Sequence, residues 1–403
     1  MQHLGETTEI AIIGGGICGL TTALALEQRG LSPTVYEAAS EYQPVGAGIL
    51  LQTNALLVFD RLGIADQIQS TGVPLDSGRI LSMSGRTLQR FDLDGVERAH
   101  FDYGYVAIHR GDLQRLLLDE LDSRVKTGKA CAEVEDTDPP TARFEDGTRI
   151  HPDILVGADG INSTVRDVIA PDIELQTLDA TVYRATATCE LPEQHRTRGV
   201  EVWGKGTYTG GAPIDSDRFY WFATAPSPSP FETATTGRQS ITEQLREYYS
   251  SFPEPVPTII NSFAPDKELI TTGLMSVPPL DQWSRGSVVL AGDAAHGMLP
   301  FAGQGAAQAI EDALALAAAL SRYSDHTTAL ETYERERKHR AERIRSESHW
   351  LGKLATIQSN LGCRVRNHAV NLLPNSIFRR FRHRRTTGTS LPVTKDGLTS
   401  SSA

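Results

Sequence analysis

An α/β fold is predicted, with a Rossmann-like nucleotide-binding domain, an interleaved antiparallel-sheet lobe and a C-terminal helical segment. Three observations carry the prediction. Four short apolar runs end in Gly, Asp or Glu: "IAII" before Gly14, "TVYE" ending at Glu37, "DILVGADG" ending at Gly160 and "SVVLAGD" ending at Asp293. Continuous apolar character marks strands buried on both faces, as in a parallel sheet covered by helices. Between about Gln176 and Thr272 the texture changes to alternation, in "VYRATATC", "GVEVWGKGTYTGG" and "DRFYWFAT", which reads as antiparallel strands. After Ser324 the pattern turns helical, rich in charge, with apolar residues at Leu330, Tyr333, Ala341 and Ile344.

The elements follow in order. Residues 1–71 open the nucleotide-binding domain. Gly14-x-Gly16-x-x-Gly19 follows the first strand and starts the helix "LTTALALEQRG". Such glycines allow a tight turn, close approach of a pyrophosphate and close helix–strand packing, while the helix start offers N–H groups. Glu37 lies 18 residues beyond Gly19 (37 − 19) at the end of the next strand, where a carboxylate can accept from ribose hydroxyls. Glu37 and the adjoining Ala38 are candidate cofactor-binding residues. Residues 72–102 and 176–272 form the second lobe, with turns at "PIDSD" and "PSPSP". Residues 103–175 and 273–323 return to the first domain. Residues 324–385 are C-terminal helices, entered through a capping box of Thr328 and Glu331. Residues 386–403 have no core-forming pattern and read as a disordered tail.

Composition narrows the function. Among 403 residues the net charge is −11, which argues against a nucleic-acid partner. Only "RRFRHRR" (Arg379 to Arg385) runs against that balance. It reads either as a solvated helix end or as a patch for a membrane surface or a partner. Four scattered cysteines without a C-x-x-C pair suggest neither zinc nor a disulfide framework, so no metal site is expected. The start of the chain lacks the pattern of a secretory leader. No apolar run approaches the roughly 20 residues that cross a bilayer. A cytoplasmic protein without stable membrane insertion, monomeric or homodimeric, is the expectation.

The later motifs separate the possible nucleotides. "DILVGADGINSTVR" (Asp153 to Arg166), "VVLAGDAAHGMLPFAGQGAAQAIEDA" (Val288 to Ala313) and "IHRGDLQRLLL" (Ile108 to Leu118) resemble the fingerprints of the class A flavoprotein monooxygenases, the p-hydroxybenzoate and salicylate hydroxylase group. The resemblance runs from about Glu9 to Ala341. It implies FAD as cofactor, with Asp293 on the ribitol hydroxyls, Arg110 near the phosphate–ribitol region and Gly48 along the cofactor. It places Asp159 in a motif used for both FAD and the nicotinamide cofactor, and Pro300 beside the flavin ring. Gly303, Gly305, Ala306 and Ala307 would present backbone N–H groups to the flavin N1/O2 edge, where reduction puts negative charge that a helix start stabilises. The glycine-rich turns would then hold the two ends of one FAD.

The implied activity is that of a single-component monooxygenase. It would use NAD(P)H, bound transiently for want of a second fingerprint, and O2 to hydroxylate or epoxidise an aromatic or other apolar small molecule through a flavin C4a-hydroperoxide. Two alternatives stay open: a flavin reductase or dehydrogenase of a lipid-like substrate, and a non-catalytic nucleotide-binding protein. No W-x-W-x-I-P halogenase segment is found.

Candidate catalytic residues lie in the lobe. Alternation in "DRFYWFAT" puts Phe219 and Trp221 on one face and Tyr220 and Phe222 on the other. Either pair could wall the substrate pocket, with Met298, Leu299 and Phe301 opposite. Urate-hydroxylating relatives resemble this stretch and use a tyrosine corresponding to Tyr220. They place an arginine where this chain has Tyr208, so urate is not expected. Arg184 falls where some members keep a phenolate-binding arginine, and reads equally as a solvent-facing strand residue. His296 reads as a packing or hydrogen-bonding residue rather than a base. Glu311 and Asp312 read as a helix-surface pair or a contact to neighbouring backbone.

Overall fold

The computed structural model describes residues 8–42, 47–93, 97–226, 240–264 and 269–387. The leader reading of residues 1–7, the "PSPSP" turn after Pro226 and the tail from residue 388 fall outside them.

The apolar runs fold as expected of strands covered on both faces. In strands Ile10–Ile13, Ile154–Gly157 and Val288–Leu290 every residue is buried. They belong to a six-stranded sheet with the order Ser284–Arg285, Val288–Leu290, Ile154–Gly157, Ile10–Ile13, Pro33–Tyr36, Arg124–Lys126. All pairings are parallel except at the Ser284–Arg285 edge. Ile13 pairs with Tyr36 and Gly157, and Gly157 with Leu290. The carboxyl ends of all four motif-bearing strands therefore line one edge, the place where such sheets bind ligands. Helices Ile17–Glu27 and Gly305–Arg322 pack on each other against this sheet.

The alternating segments build a seven-stranded sheet: Ile270–Ser276, Gln176–Thr188, Arg218–Pro226, Tyr208–Pro213, Arg198–Trp203, Ser77–Ser82, Thr87–Asp92. It is antiparallel apart from the pairing of Arg198–Trp203 with Ser77–Ser82. One face buries Tyr183, Phe219 and Trp221 against Tyr249, Phe252 and Phe263, supplied by and next to helices Ile241–Tyr249 and Val256–Asn261. The other face turns to the nucleotide-binding domain. Two segment boundaries differ from the sequence expectation. Strand Ile270–Ser276 continues past Thr272 because its pairing with Gln176–Thr188 reaches Ser276. Strand Val73–Leu75 pairs instead with Tyr105–His109, which also holds Gly48–Leu51.

After helix Gly305–Arg322 comes the 30-residue helix His326–Ala355, which buries Leu330, Tyr333, Ala341 and Ile344. Its cap is Asp325, not the expected box of Thr328 and Glu331. The Asp325 carboxylate accepts from the Thr328 N–H at 2.9 Å and from the Thr328 hydroxyl at 2.5 Å. Thr328 is thus a capped residue, and the helix starts three residues earlier, at His326. Helices Asn360–Leu372 and Asn375–Thr387 follow, the last running two residues beyond the expected end at 385. No described helix is long and apolar enough to cross a membrane.

Candidate active site

The first glycine turn is built as its spacing demands. Gly14 has φ +104°, and a Cβ there would lie 2.3 Å from the Ala158 carbonyl oxygen. A Cβ on Gly19 would lie 1.9 Å from the Gly14 oxygen. Gly16 differs: its Cβ would meet nothing within 4 Å, at the N-cap of helix Ile17–Glu27. Gly14 and Gly19 close the turn, and Gly16 leaves open space in front of the helix start. Glu37 accepts from the Gly15 N–H at 2.7 Å and the Ala39 N–H at 2.8 Å, with exposed Ala38 between. Tyr42 and Gln114 donate to the Gly15 carbonyl, each at 3.1 Å. Sequence reasoning missed these two, for no local pattern ties either to the turn.

The second turn mirrors the first. Gly292 (φ +62°) leads from strand Val288–Leu290 into Asp293, and Gly303 (φ +60°) leads to helix Gly305–Arg322. A Cβ on Gly305 would lie 3.9 Å from both Asp293 Oδ1 and Met298 Cγ, so the carboxylate sits beside the helix start. Asp293 is open to solvent. Yet dense surroundings push its pKa up, desolvation first, against the pull of His296 and Arg110. A group crowded by protein atoms that water still reaches lines the wall of a deep cleft. Pro300 and Arg110 are exposed, Gly305 and Ala306 half-buried, and Ala307 buried.

These groups fit FAD. Open space lies before one helix start, a second helix starts beside an open carboxylate, and an arginine lies near enough to act on that carboxylate. That is the donor and acceptor set of a molecule with a diphosphate, polyol hydroxyls and a ring that becomes anionic. Asp159 is occupied differently. It accepts from the Thr164 and Val165 N–H groups at 2.8 and 3.2 Å, while its other oxygen is buried without a partner. Burial raises its pKa, against the bonds from the Val165 and Thr164 N–H groups.

Behind the second turn lies a buried network that corrects the surface reading of Glu311 and Asp312. Both are buried, at 1% and 0% exposure. Asp312 accepts from the Gly292 N–H (2.9 Å), meets His296 Nε2 (2.6 Å) and accepts from Arg337 Nε (2.7 Å). Burial alone would raise the Asp312 pKa, but His296 and Arg337 outweigh it and hold it at about 2. Glu311 takes Arg337, Arg340 and Asn54. The His296 ring lies against Trp283, tilted by 37° with ring centres 5.1 Å apart, and is only 2% exposed. Gln52 donates to the Ala302 and Gly303 carbonyls at 3.1 and 3.0 Å and accepts from Gln304 at 2.6 Å. The turn at Gly303 is thereby fixed from beneath. Among the described residues no cluster of three or more His, Cys, Asp or Glu could hold a metal.

Across from this turn stands the lobe. Arg184 pairs with Phe222, and Thr186 with Tyr220, so Arg184, Tyr220 and Phe222 share one face. Phe219 and Trp221, both at 0% exposure, are committed to the opposite core, which leaves Tyr220 and Phe222 for the cleft. Tyr208 lies 4.9 Å from Phe222 and 5.6 Å from Phe301, ring to ring, joining lobe and turn. Leu299 packs with Val182. Gly48 abuts Tyr220, whose Cβ would be 2.4 Å from a Cβ there. Burial raises the Tyr220 pKa, and Arg184 opposes this by charge and hydrogen bond. Arg184 also donates to the Thr272 hydroxyl at 3.1 Å, so it is anchored rather than free in solvent.

Glu201, which sequence reasoning passed over, joins this face. It pairs with Gly210, beside the pairing of Trp203 with Tyr208. Burial raises its pKa, and Tyr208 and Trp203 act against that. The Trp203 N–H makes no hydrogen bond of normal geometry, so of the two only the Tyr208 hydroxyl is a partner. No local signal marked it, because the alternation in "GVEVW" sets Glu201 opposite the core residues Val200 and Val202, as on any strand with one polar face.

Comparison with known proteins agrees with this geometry. A family model described as an FAD binding domain matches residues 7–348. Aurachin C monooxygenase/isomerase of Stigmatella aurantiaca is 33% identical over 369 residues, 90% of this chain and 94% of that protein. The 2-heptyl-3-hydroxy-4(1H)-quinolone synthase of Pseudomonas aeruginosa (strain UCBPP-PA14) is 33% identical over 387 residues, 94% of this chain and 98% of that protein. In fold, the chain is similar to Klebsiella pneumoniae HpxO complexed with FAD and uric acid, with a TM-score of 0.84 at 24% identity over 95% of this chain and 98% of that one.

Proposed function

The chain belongs to the FAD-binding family of class A flavoprotein monooxygenases, and from that premise we propose that it hydroxylates a nitrogen-containing aromatic ring bearing an apolar substituent. Its enzymatic class is that of an FAD-dependent oxidoreductase using NAD(P)H and O2. The observation that carries the substrate reading is the cleft face of the lobe: aromatic rings at Tyr208, Tyr220 and Phe222, with the charged side chains of Arg184 and Glu201 among them. Two relatives with 33% identity bear names of quinolone or aurachin chemistry, which suits such a face.

Bound FAD, once reduced by NAD(P)H, supplies the electrons with which O2 is activated, so that one oxygen atom enters the substrate and the other leaves as water. The chain's own residues do the rest. Gly14, Gly16, Gly19 and Glu37 hold the nucleotide end, with Ala38 alongside. Asp293 and Arg110 hold the middle, and Gly48 and Asp159 lie along the cleft. Pro300 borders the ring. The helix start at Gly303, Gly305, Ala306 and Ala307 stabilises the negative charge that builds on its edge. Arg184 orients the Tyr220 hydroxyl towards a substrate oxygen. Glu201 accepts from a ring N–H, supported by Tyr208. The rings of Tyr208, Phe222 and Phe301 keep water from the oxygen-transfer step.

Anaerobic flavin reduction by NADH and NADPH tests this reading, with alkylquinolones and simple benzoates compared as effectors. Quinolones should accelerate reduction, and aerobic turnover should give hydroxylated product. Oxygen consumption ending wholly as hydrogen peroxide for every compound would defeat the proposal.

A further inference from the structure

One segment contradicts the charge of the whole. Between Lys353 and Thr387 there are one lysine and seven arginines and no aspartate or glutamate, in a chain of net charge −11. Helix Asn360–Leu372 presents Leu361, Arg364, Val365, His368, Ala369 and Leu372 at steps of three and four, all exposed. Leu361, Val365 and Leu372 are 73%, 61% and 65% exposed. Its inner face docks through Arg366, which donates to the carbonyls of Trp203, Gly204 and Ala355 at 3.2, 3.0 and 2.9 Å. The helix thus turns large apolar side chains outward and an arginine inward, the reverse of the order that water selects.

The last helix, Asn375–Thr387, repeats the arrangement. Arg382 pairs with Glu97 at 2.8 Å and Arg385 with Glu347 at 2.5 Å, both holding the helix to the body. Arg379, Arg380 and Arg384 are exposed beside Phe381, itself 51% exposed. Among the described residues none of these three arginines forms an ion pair.

We propose that the outer face of these two helices is a docking surface for an anionic phospholipid bilayer. Apolar side chains interleaved with cations on a helix face lie in the headgroup boundary, while the arginines meet lipid phosphates. A second copy of the chain would set this basic face against itself, since a two-fold interface brings like surfaces together. A nucleic acid would meet the arginines but leave three large aliphatic side chains in water. The contact is peripheral, because no described helix can span. Val370 and Phe378, on the inner sides of the two helices, pack in one cluster with Tyr208, Phe222 and Phe301. A substrate dissolved in the bilayer would therefore arrive beside the pocket. That consequence rests on the proposed activity; the docking surface does not.

Vesicle sedimentation with the FAD-loaded full chain tests it. Phosphatidylcholine vesicles are compared with vesicles containing about a quarter phosphatidylglycerol. Binding to the anionic vesicles only, weakened at about 0.5 M salt, is expected. The triple variant Arg379→Gln, Arg380→Gln, Arg384→Gln should lower partitioning on the order of a hundredfold. Leu361→Ser with Val365→Ser and Leu372→Ser should lower it about tenfold or more. Both variants should keep bound flavin and NAD(P)H oxidation in solution, which separates lost docking from lost folding. Equal binding to both vesicle types, no binding to the anionic ones, or variants that pellet like the parent would overturn the proposal. So would a dimer in solution that the leucine–valine variant abolishes.

Discussion

Asp293 carries a carboxylate that its own surroundings disfavour, desolvation pushing its pKa up. Such a group is tolerated when a ligand with hydroxyls repays it. Asp293→Ala should therefore weaken FAD binding about ten- to hundredfold, the worth of a hydrogen bond to a charged group. Fluorescence titration of the apoprotein with FAD reads this, and an unchanged affinity would remove Asp293 from the cofactor site. Tyr220 makes a different prediction. Tyr220→Phe should leave FAD affinity intact, lower product formed per NAD(P)H and raise hydrogen peroxide. Lost FAD with unchanged coupling would instead mark Tyr220 as structural. Glu201 adds a pH dependence. Its pKa is raised, and the ionised form accepts from an N–H more strongly than the neutral acid does, so substrate affinity should fall as pH drops through a value above its ordinary one. Glu201→Gln should flatten that profile. The strand face holding Tyr220 followed from alternation alone, but which face met the cleft did not. That choice depends on helices Ile241–Tyr249 and Val256–Asn261 covering Trp221, which no local pattern announces.

The parallel strands were the easiest elements to read, because burial on both faces leaves a continuous apolar run such as "IAII". The first turn was equally legible, Gly14 and Gly19 being required by carbonyl oxygens that a Cβ would strike. Gly19→Ala puts a methyl 1.9 Å from the Gly14 oxygen, so the turn must open. FAD binding should be lost and the thermal midpoint should fall, measured with and without added FAD. The helix boundary was less legible. Asp325 and Thr328 are both good capping residues, and the carboxylate wins by taking both the N–H and the hydroxyl of Thr328. Asp325→Ala should cost about 1 kcal/mol in denaturant unfolding, and Thr328→Ala less.

At the scale of the whole molecule, the second glycine turn is held by groups far apart in sequence. Gln52, Asn54, Gln304, Glu311, Asp312, Arg337 and Arg340 converge beneath the second turn. Apart from the contact of Asp312 to neighbouring backbone, which the Gly292 N–H supplies, the network was not legible beforehand, since a buried charge reads like a surface charge until its partners are placed. The network should set the acid limit of the fold. Asp312 is held at about 2, below its ordinary 3.8. A depressed carboxylate contributes stability above its unfolded pKa and loses it as pH falls through the folded value, here between about 4 and 2. Asp312→Asn should flatten that part of the stability profile. Arg337→Met, which removes the cation shared by the two buried carboxylates, should cost roughly 3–5 kcal/mol. In the arrangement we propose, all of this serves a single FAD held at both ends. Electron density for the FAD complex tests it most directly. The pyrophosphate should lie at Gly14–Gly19 and the flavin ring between the Pro300–Gly303 turn and the Tyr220–Phe222 face, with one FAD per chain. A phosphate at the second turn, or a ring remote from the lobe, would contradict the account.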